Sequence, residues 1–594
     1  MGKFIGILIL TQALFAAGAG AVVYVDKSAP GGDGSSWPNA FNTLQPAIDS
    51  AYTLGGDEVW VAMGDYNETR NVPPGTPPAE EDNGSLVIRP GVQIYGGFAG
   101  NESQRDQRDW EANVTIINGS TARSGGPACH VVIMSDGVLD GFTITGGSVS
   151  QFVPCINAGA GLFISGGAPI VRNCVINNNA AGGAGGAMAA SGSGGTFESC
   201  VFGNNYSNRG GAIDMSSCTA TFSKCRFESN TCAGYRTYSG YGGAITMYSS
   251  SPQFVNCVFW ENRAVSAFST PSYGGAVDIT NGSYPEFLNC TFYGNVATND
   301  SPEFSSNYGG AIRSDEASLP TAVNCILWGN VPDQVYGPAL VLYTDIQGGS
   351  DAAGCIDADP LFADSLGRLA SDSPCIGAAW ADAAPIDDTR GVARPQGSGA
   401  DMGAYEMVYA TASFSANITT GSLPLDVQFT DLTSHPGVTG WLWDFGDGAT
   451  STDQHPAHTY TTAGAFSVSL TITTIDCTDT KTIAGYITAY GELIPAFSMD
   501  ANFGRRPLEV QFTDLSASPV PVTGWLWRFG DGATSTIQNP VHIYKVPGLF
   551  SVSLTVTGEP DSATCTRHNA ILVLNKRGAA PKPWLIRWLE SQLE

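Results

Sequence analysis

The stretch Gly210-Gly211-Ala212-Ile213-Asp214-Met215-Ser216-Ser217-Cys218-Thr219-Ala220-Thr221-Phe222-Ser223-Lys224-Cys225-Arg226-Phe227-Glu228-Ser229-Asn230 holds one full unit of a repeat. Its opening phrase, Gly-Gly-Ala followed by alternating apolar residues, recurs at Gly185-Gly186-Ala187, Gly242-Gly243-Ala244, Gly274-Gly275-Ala276 and Gly309-Gly310-Ala311, with a degenerate copy at Ala160-Gly161-Leu162. Its closing phrase puts a cysteine five residues before an asparagine. The cysteines are Cys174, Cys200, Cys225, Cys257, Cys290 and Cys325, and the asparagines are Asn179, Asn205, Asn230, Asn262, Asn295 and Asn330. Within a unit the apolar residues alternate as in short strands, and no helical period is sustained. Short strands that advance one turn per unit stack in parallel about 4.8 Å apart, which is a parallel β-helix. Unit length varies between each asparagine and the next Gly-Gly, so that segment is assigned to a loop.

This winding gives the repeated residues physical roles. Asparagine tolerates the left-handed conformation, so the six asparagines are placed at turns, each side chain bonding the asparagine of the next coil. The six cysteines alternate with inward apolar residues and are read as a file of buried, reduced thiols. Parallel Cβ vectors hold neighbouring thiols too far apart to pair easily. Of the other eight cysteines, Cys129, Cys155, Cys218, Cys232, Cys355 and Cys375 are enough for three disulfides. Cys355–Cys375 is the first candidate among many pairings, while Cys477 and Cys565 are left unpaired.

The chain has 594 residues, 27 of them basic and 54 acidic, for a net charge of −27. That balance argues against a nucleic-acid partner, which needs a basic face. The 73 glycines lack a collagen period and mark a turn-rich β protein. Lys3, an apolar run from Phe4 to Ala17 and Ala19-Gly20-Ala21 form a leader with a cleavage site after Ala21. Residues 1–21 are therefore expected to be a signal peptide, and the mature chain to be exported with no membrane span. Residues 576–594 form a short amphipathic tail carrying Pro583, Trp584 and Trp588. Sequons at Asn67, Asn83, Asn101, Asn113, Asn118, Asn205, Asn281, Asn299 and Asn417 fit an exported glycoprotein.

Flanking phrases carry a family resemblance. Tyr24-Val25-Asp26, Phe41-Asn42-Thr43-Leu44-Gln45-Pro46-Ala47-Ile48, Gly91-Val92-Gln93-Ile94-Tyr95-Gly96-Gly97-Phe98 and the closing Asp401-Met402-Gly403-Ala404-Tyr405-Glu406 resemble right-handed parallel β-helix surface proteins of the pectate-lyase-like superfamily. The resemblance covers residues 22–407 and implies a capping helix over residues 44–51. A departure from the family pattern at Cys375-Ile376-Gly377 supports a local disulfide there.

The remaining chain is duplicated. Gly440-Trp441-Leu442-Trp443-Asp444-Phe445-Gly446-Asp447-Gly448 returns as Gly524-Trp525-Leu526-Trp527-Arg528-Phe529-Gly530-Asp531-Gly532. Short alternating strands with turn signals make each copy a β-sandwich. Both copies, over residues 409–490 and 494–575, resemble the PKD domain, an immunoglobulin-like module. The wording is similar to PKD repeats of methanogenic archaeal surface proteins, which implies an archaeal source. Asp444, Asp447 and Asp531 are assigned to turn formation, with calcium binding as the alternative. No other cofactor is indicated.

The outer column of the Gly-Gly-Ala strands reads Ala189, Asp214, Thr246, Asp278, Arg313. Asp214 and Asp278 lie two coils apart, roughly 9.6 Å, near the ~6.5–9.5 Å an inverting glycosidase uses. Asp278 with Arg313 also fits a plain surface ion pair. The sequence thus points to an exported structural or adhesive surface protein that binds polysaccharides or other surface proteins. The alternative is a secreted polysaccharide lyase or glycoside hydrolase.

Overall fold

A computed structural model describes residues 22–55, 58–70, 84–150, 156–234, 239–266, 270–300, 306–408, 410–435, 437–519, 521–558 and 561–576. The leader, Asn83, Cys155 and residues 577–594 of the tail lie outside the described residues. The chain divides into two units, residues 1–407 and 408–594. Among the described residues no helix is long and apolar enough to cross a membrane.

The first unit is a parallel β-helix. One complete coil runs through strands Ile213–Ser216, Thr221–Ser223, Arg226–Glu228 and Thr231–Ala233, and the next coil opens at Ile245–Tyr248. Stacking equivalent strands builds four parallel sheets of eleven, ten, nine and six strands among the described residues. Register is strict where the inward residues stack: Phe197, Phe222, Phe254 and Phe287 align in one sheet, and Phe202, Phe227, Phe259 and Phe292 in another. Their rings form two internal files with centroids 4.4–5.0 Å apart. The first coil is closed by a helix, Leu44–Leu54, which buries Leu44, Ala47, Ile48 and Ala51.

The strand Thr231–Ala233 and its equivalents begin immediately after the repeated asparagine, where the sequence suggested loop. Variable length enters only afterwards. The left-handed residue also differs from expectation. It is the residue before each ladder asparagine, namely Asn178, Asn204, Ser229, Glu261, Gly294 and Gly329. The ladder asparagines themselves turn inward.

The Gly-Gly pair has two separate causes. The first glycine is left-handed, as at Gly210, Gly242 and Gly274, with φ of +59° to +64°. The second allows close approach: a Cβ on Gly243 would lie 1.9 Å from the Gly275 carbonyl oxygen. Alanine at Gly243 is therefore excluded sterically even though its φ is not left-handed.

Residues 356–407 fold back along the outside of the ten-stranded sheet. Phe362 packs on Trp260 and Tyr293, the Arg226 guanidinium donates to the Tyr405 hydroxyl (2.8 Å), and Asn289 Nδ2 donates to the Asp401 carbonyl (2.9 Å). This strap covers outward apolar residues that a free sheet would expose. Its own fold is fixed by a buried pair in which Arg394 donates to Glu406 (2.9 Å) and to the carbonyls of Asp401 and Gly403.

In the second unit each copy is a sandwich of a three-stranded and a five-stranded sheet. Trp443 and Trp527 are fully buried at the two cores. The neighbouring indoles of Trp441 and Trp525 donate to Asp431 and Asp514 at 2.8 and 2.7 Å.

Candidate functional site

Strand pairing places Ala189, Asp214, Thr246, Asp278 and Arg313 in one column on the nine-stranded sheet, as the alternation requires. The column is covered. Asp214 is 8% exposed and Asp278 1% exposed. Arg209 reaches both oxygens of Asp214, Nε at 2.5 Å and Nη2 at 3.1 Å. Arg313 Nη1 donates to Asp278 at 3.0 Å, and its guanidinium lies 4.7 Å over the Tyr273 ring. The Asp278–Arg313 contact is thus a buried ion pair rather than a surface one. The two carboxylates are each held by an arginine, with Thr246 in register between them.

Burial pushes the Asp278 carboxyl up to about 7 against the opposing pull of Arg313. Burial likewise raises Asp214 against Arg209. A carboxyl near 7 suits proton transfer, yet here it has no open face toward a substrate. Its raised value makes it a stability group instead. The contribution is fully present below the ordinary value of 3.8 and is lost as pH rises through about 7. Asp278→Asn should therefore flatten the fall in thermal stability between pH 5 and pH 8. An unchanged pH profile in calorimetry would contradict this assignment.

Beside the column, Tyr241, Tyr273 and Tyr308 stack with centroids 5.3 and 5.6 Å apart, and Tyr336 continues the file at 4.4 Å. Sequence reasoning missed this file, although Tyr precedes Gly-Gly in three successive units. It also missed a serine ladder, in which the backbone N–H of Cys218, Ser250 and Ser283 donates to the hydroxyls of Ser250, Ser283 and Ser318.

The asparagine ladder runs through the coils. Each Nδ2 donates to the next Oδ1 from Asn179 to Asn330, at 2.8–3.3 Å. Each Oδ1 also accepts the backbone N–H of the preceding ladder residue. Asn205 is 1% exposed and fully engaged, so this sequon is closed in the folded chain. The cysteine ladder is buried and its thiols are free. Burial pushes Cys174, Cys200, Cys225, Cys257 and Cys290 well above the usual thiol range, which removes thiolate chemistry.

Cys355 and Cys375 do not pair. Cys355 packs at the margin of the main coil core, whereas Cys375 lies in a separate cluster with Ile326, Leu369 and Met402. The Cys375 thiol donates to Asp345 at 3.2 Å. Cys218 and Cys232 are also free and buried, while Cys129 is disulfide-bonded.

In the sandwiches, Asp444 accepts the Gly446 N–H in a turn. Asp447 accepts the Ala449 N–H at 3.0 Å and faces His458 Nε2 at 2.8 Å, while His458 stacks on Phe445 at 4.2 Å. Asp531, Ala533, His542 and Phe529 repeat the arrangement. Burial works against ionisation of Asp447, but hydrogen bonds from His458 and Ala449 outweigh it and hold the carboxyl below its usual range. These oxygens serve as turn and imidazole partners. Among the described residues, no three His, Cys, Asp or Glu side chains converge as a metal site.

Comparison with known proteins agrees with this architecture. The family described as right-handed beta helix region matches residues 109–292 and 160–344, and the PKD domain matches residues 409–489 and 503–573. The chain therefore carries a β-helix region followed by two PKD domains. Among curated proteins, collagenase ColA of Bacillus cereus is 54% identical over 35 residues, 6% of this chain and 4% of that protein. A microbial collagenase of Vibrio alginolyticus is 49% identical over 71 residues, 12% of this chain and 8% of that protein. The chain thus spans less than a tenth of either relative. The crystal structure of the PKD1 domain from Vibrio cholerae metalloprotease PrtV is 34% identical, covering 13% of this chain and 96% of that domain, with a TM-score of 0.12.

Proposed function

We propose that this chain is an exported cell-surface protein with a structural or adhesive role. Its β-helix faces and PKD modules would engage polysaccharides or other surface proteins. The observation that carries the proposal is the burial of Asp214 and Asp278 in arginine pairs, which leaves neither carboxylate of that column open to a substrate. Aromatic side chains remain outward for contact: Tyr206, Tyr248, Tyr284 and Tyr336 are 43–54% exposed. Tyrosines of this kind supply stacking surface and a polar edge to a sugar.

A glycan array, paired with incubation on pectins, alginates and neutral glycans, tests the proposal. Binding without chain cleavage is the expected result. Reproducible turnover that Asp278→Asn abolishes would replace it with the polysaccharide lyase or glycoside hydrolase alternative, for which the raised Asp278 carboxyl is the supporting observation.

A further inference from the structure

The two PKD copies share one strand pattern, so each position of the first is an internal control for the second. In the first copy, register sets Thr420 opposite Thr488 and Thr488 opposite Ala465, in one row across three strands of the five-stranded sheet. In the second copy the same register aligns Phe503, Leu572 and Leu549. Thr420, Thr488 and Ala465 are all exposed. Phe503 is 65% and Leu549 45% exposed, with Leu572 half-buried between them. Threonine and alanine satisfy this fold, so folding does not demand the apolar row. Neighbouring apolar side chains left open on a sheet face mark a contact surface.

Charge changes at the same place. Residues 491–576 hold six basic and seven acidic residues, against one and seven in residues 409–490. Ser422, Leu423 and Glu492 of the first copy correspond to Arg505, Arg506 and Lys576 of the second. Arg505 follows Phe503 by two residues and shares its face, about 6.6 Å along the strand at 3.3 Å per residue. Its guanidinium donates to the Asn575 carbonyl (2.9 Å), which ties the side chain to the end of the neighbouring strand, next to Lys576. Among the described residues, none of Arg505, Arg506 and Lys576 has an ion-pair partner. In the first unit, by contrast, Arg89, Arg172, Arg209 and Arg313 are each paired with a carboxylate.

An open aromatic ring beside unpaired cations fits a ligand with both an apolar ring face and a negative charge. We propose that the Phe503, Leu572 and Leu549 row, with Arg505 and Lys576 at its edge, is a binding site for an acidic polysaccharide built of uronate sugars. The C–H face of one sugar ring lies on Phe503, and a carboxylate meets the Arg505 fork and the Lys576 ammonium. The site belongs to the second module alone. The net charge of −27 does not forbid it, because charges beyond about 8 Å are largely screened at physiological ionic strength. The inference rests on the glycan reading proposed above and adds the ligand class and the site.

The test is titration calorimetry of the full chain with hexamers of mannuronate and of galacturonate, each set against the neutral hexamer of mannose or galactose in the same linkage. Stronger binding of an acidic hexamer than of its neutral counterpart is expected, weakening on the order of ten-fold as salt rises to about 1 M, where the screening length falls to about 3 Å. Copying the first module's row with Phe503→Thr, Leu549→Ala and Leu572→Thr should weaken binding by on the order of ten-fold or more. Arg505→Ser with Lys576→Glu should remove the preference for the acidic hexamer and its salt dependence. The first copy folds with these residues, and an unchanged melting temperature verifies that the variants do too. The reverse exchange, Thr420→Phe, Ser422→Arg, Ala465→Leu and Thr488→Leu, should add one site per chain. Three results would overturn the proposal: neither acidic hexamer binds, both variants bind them as the parent does, or the row variant instead abolishes a concentration-dependent dimer, which would assign the row to a second copy of the chain. A glycan array that still shows binding in any of these cases leaves the broader reading standing, so the two proposals fail separately.

Discussion

Asn262→Ala is expected to destabilise the β-helix by roughly 3–6 kcal/mol, more than an ordinary polar substitution. Asn262 sits mid-ladder and is fully buried. Its Nδ2 donates to the Phe227 carbonyl (2.8 Å) and to Asn295 (2.9 Å), and its Oδ1 accepts the Asn230 N–H (3.1 Å) and Nδ2 (2.9 Å). Truncation strands several buried partners at once, each costing about 1–3 kcal/mol when no water replaces the lost bond. The neighbouring residue supplies the contrast. Glu261 has φ +52°, and its equivalents in the next two coils are Gly294 and Gly329. Glu261→Gly should change stability by no more than about 1 kcal/mol, because relief of left-handed strain offsets the flexibility of glycine. Urea unfolding of both variants reads the difference. Equal effects would mean that the ladder is not a continuous bonded file.

Glu406→Ala is expected to cost about 3–5 kcal/mol and to release the strap, because it leaves the buried Arg394 cation unpaired. Glu406 also accepts the N–H of Gln396 (2.7 Å) and of Asp401 (2.9 Å), so the loop around it loses three anchors. Release uncovers Trp260, which is 8% exposed under Phe362. The measurable signs are red-shifted tryptophan emission and new proteolytic cleavage within residues 356–407. Retention of native emission and protease resistance would show that the strap is held mainly by its apolar contacts.

The fold was legible because each coil repeats its chemistry at matching positions. Cys225 and Asn230 announce themselves by recurrence, and Phe222 and Phe227 by alternation. The strand after Asn230 escaped notice because Thr231–Ala233 is short and runs into segments of unequal length, where recurrence fades. The left-handed turn was assigned one residue late, since Asn230 has the composition of a turn residue while Ser229 and Glu261 do not. The strap was visible only as the closing phrase Asp401-Met402-Gly403-Ala404-Tyr405-Glu406 of the family resemblance. Its role is set by contacts more than a hundred residues away, such as Asn289 with Asp401, and no local pattern encodes that separation. At the candidate site the column was read correctly from register, but its burial was not. Alternation says which side of a sheet a residue faces, not whether Tyr273 and an arginine cover that side.

The central claim is that units of unequal length advance the same distance per coil. Thr196, Gln253, Glu286 and Leu340 are exposed and belong to one outward column of the eleven-stranded sheet. Spin labels paired from Thr196 to each of the other three positions, with Cys355, Cys477 and Cys565 replaced, measure that advance by electron–electron dipolar coupling. Separations near 10, 14 and 24 Å are predicted, at about 4.8 Å per coil. Distances that fail to increase in this order, or that do not fit one constant step of about 4.8 Å per coil, would contradict the account.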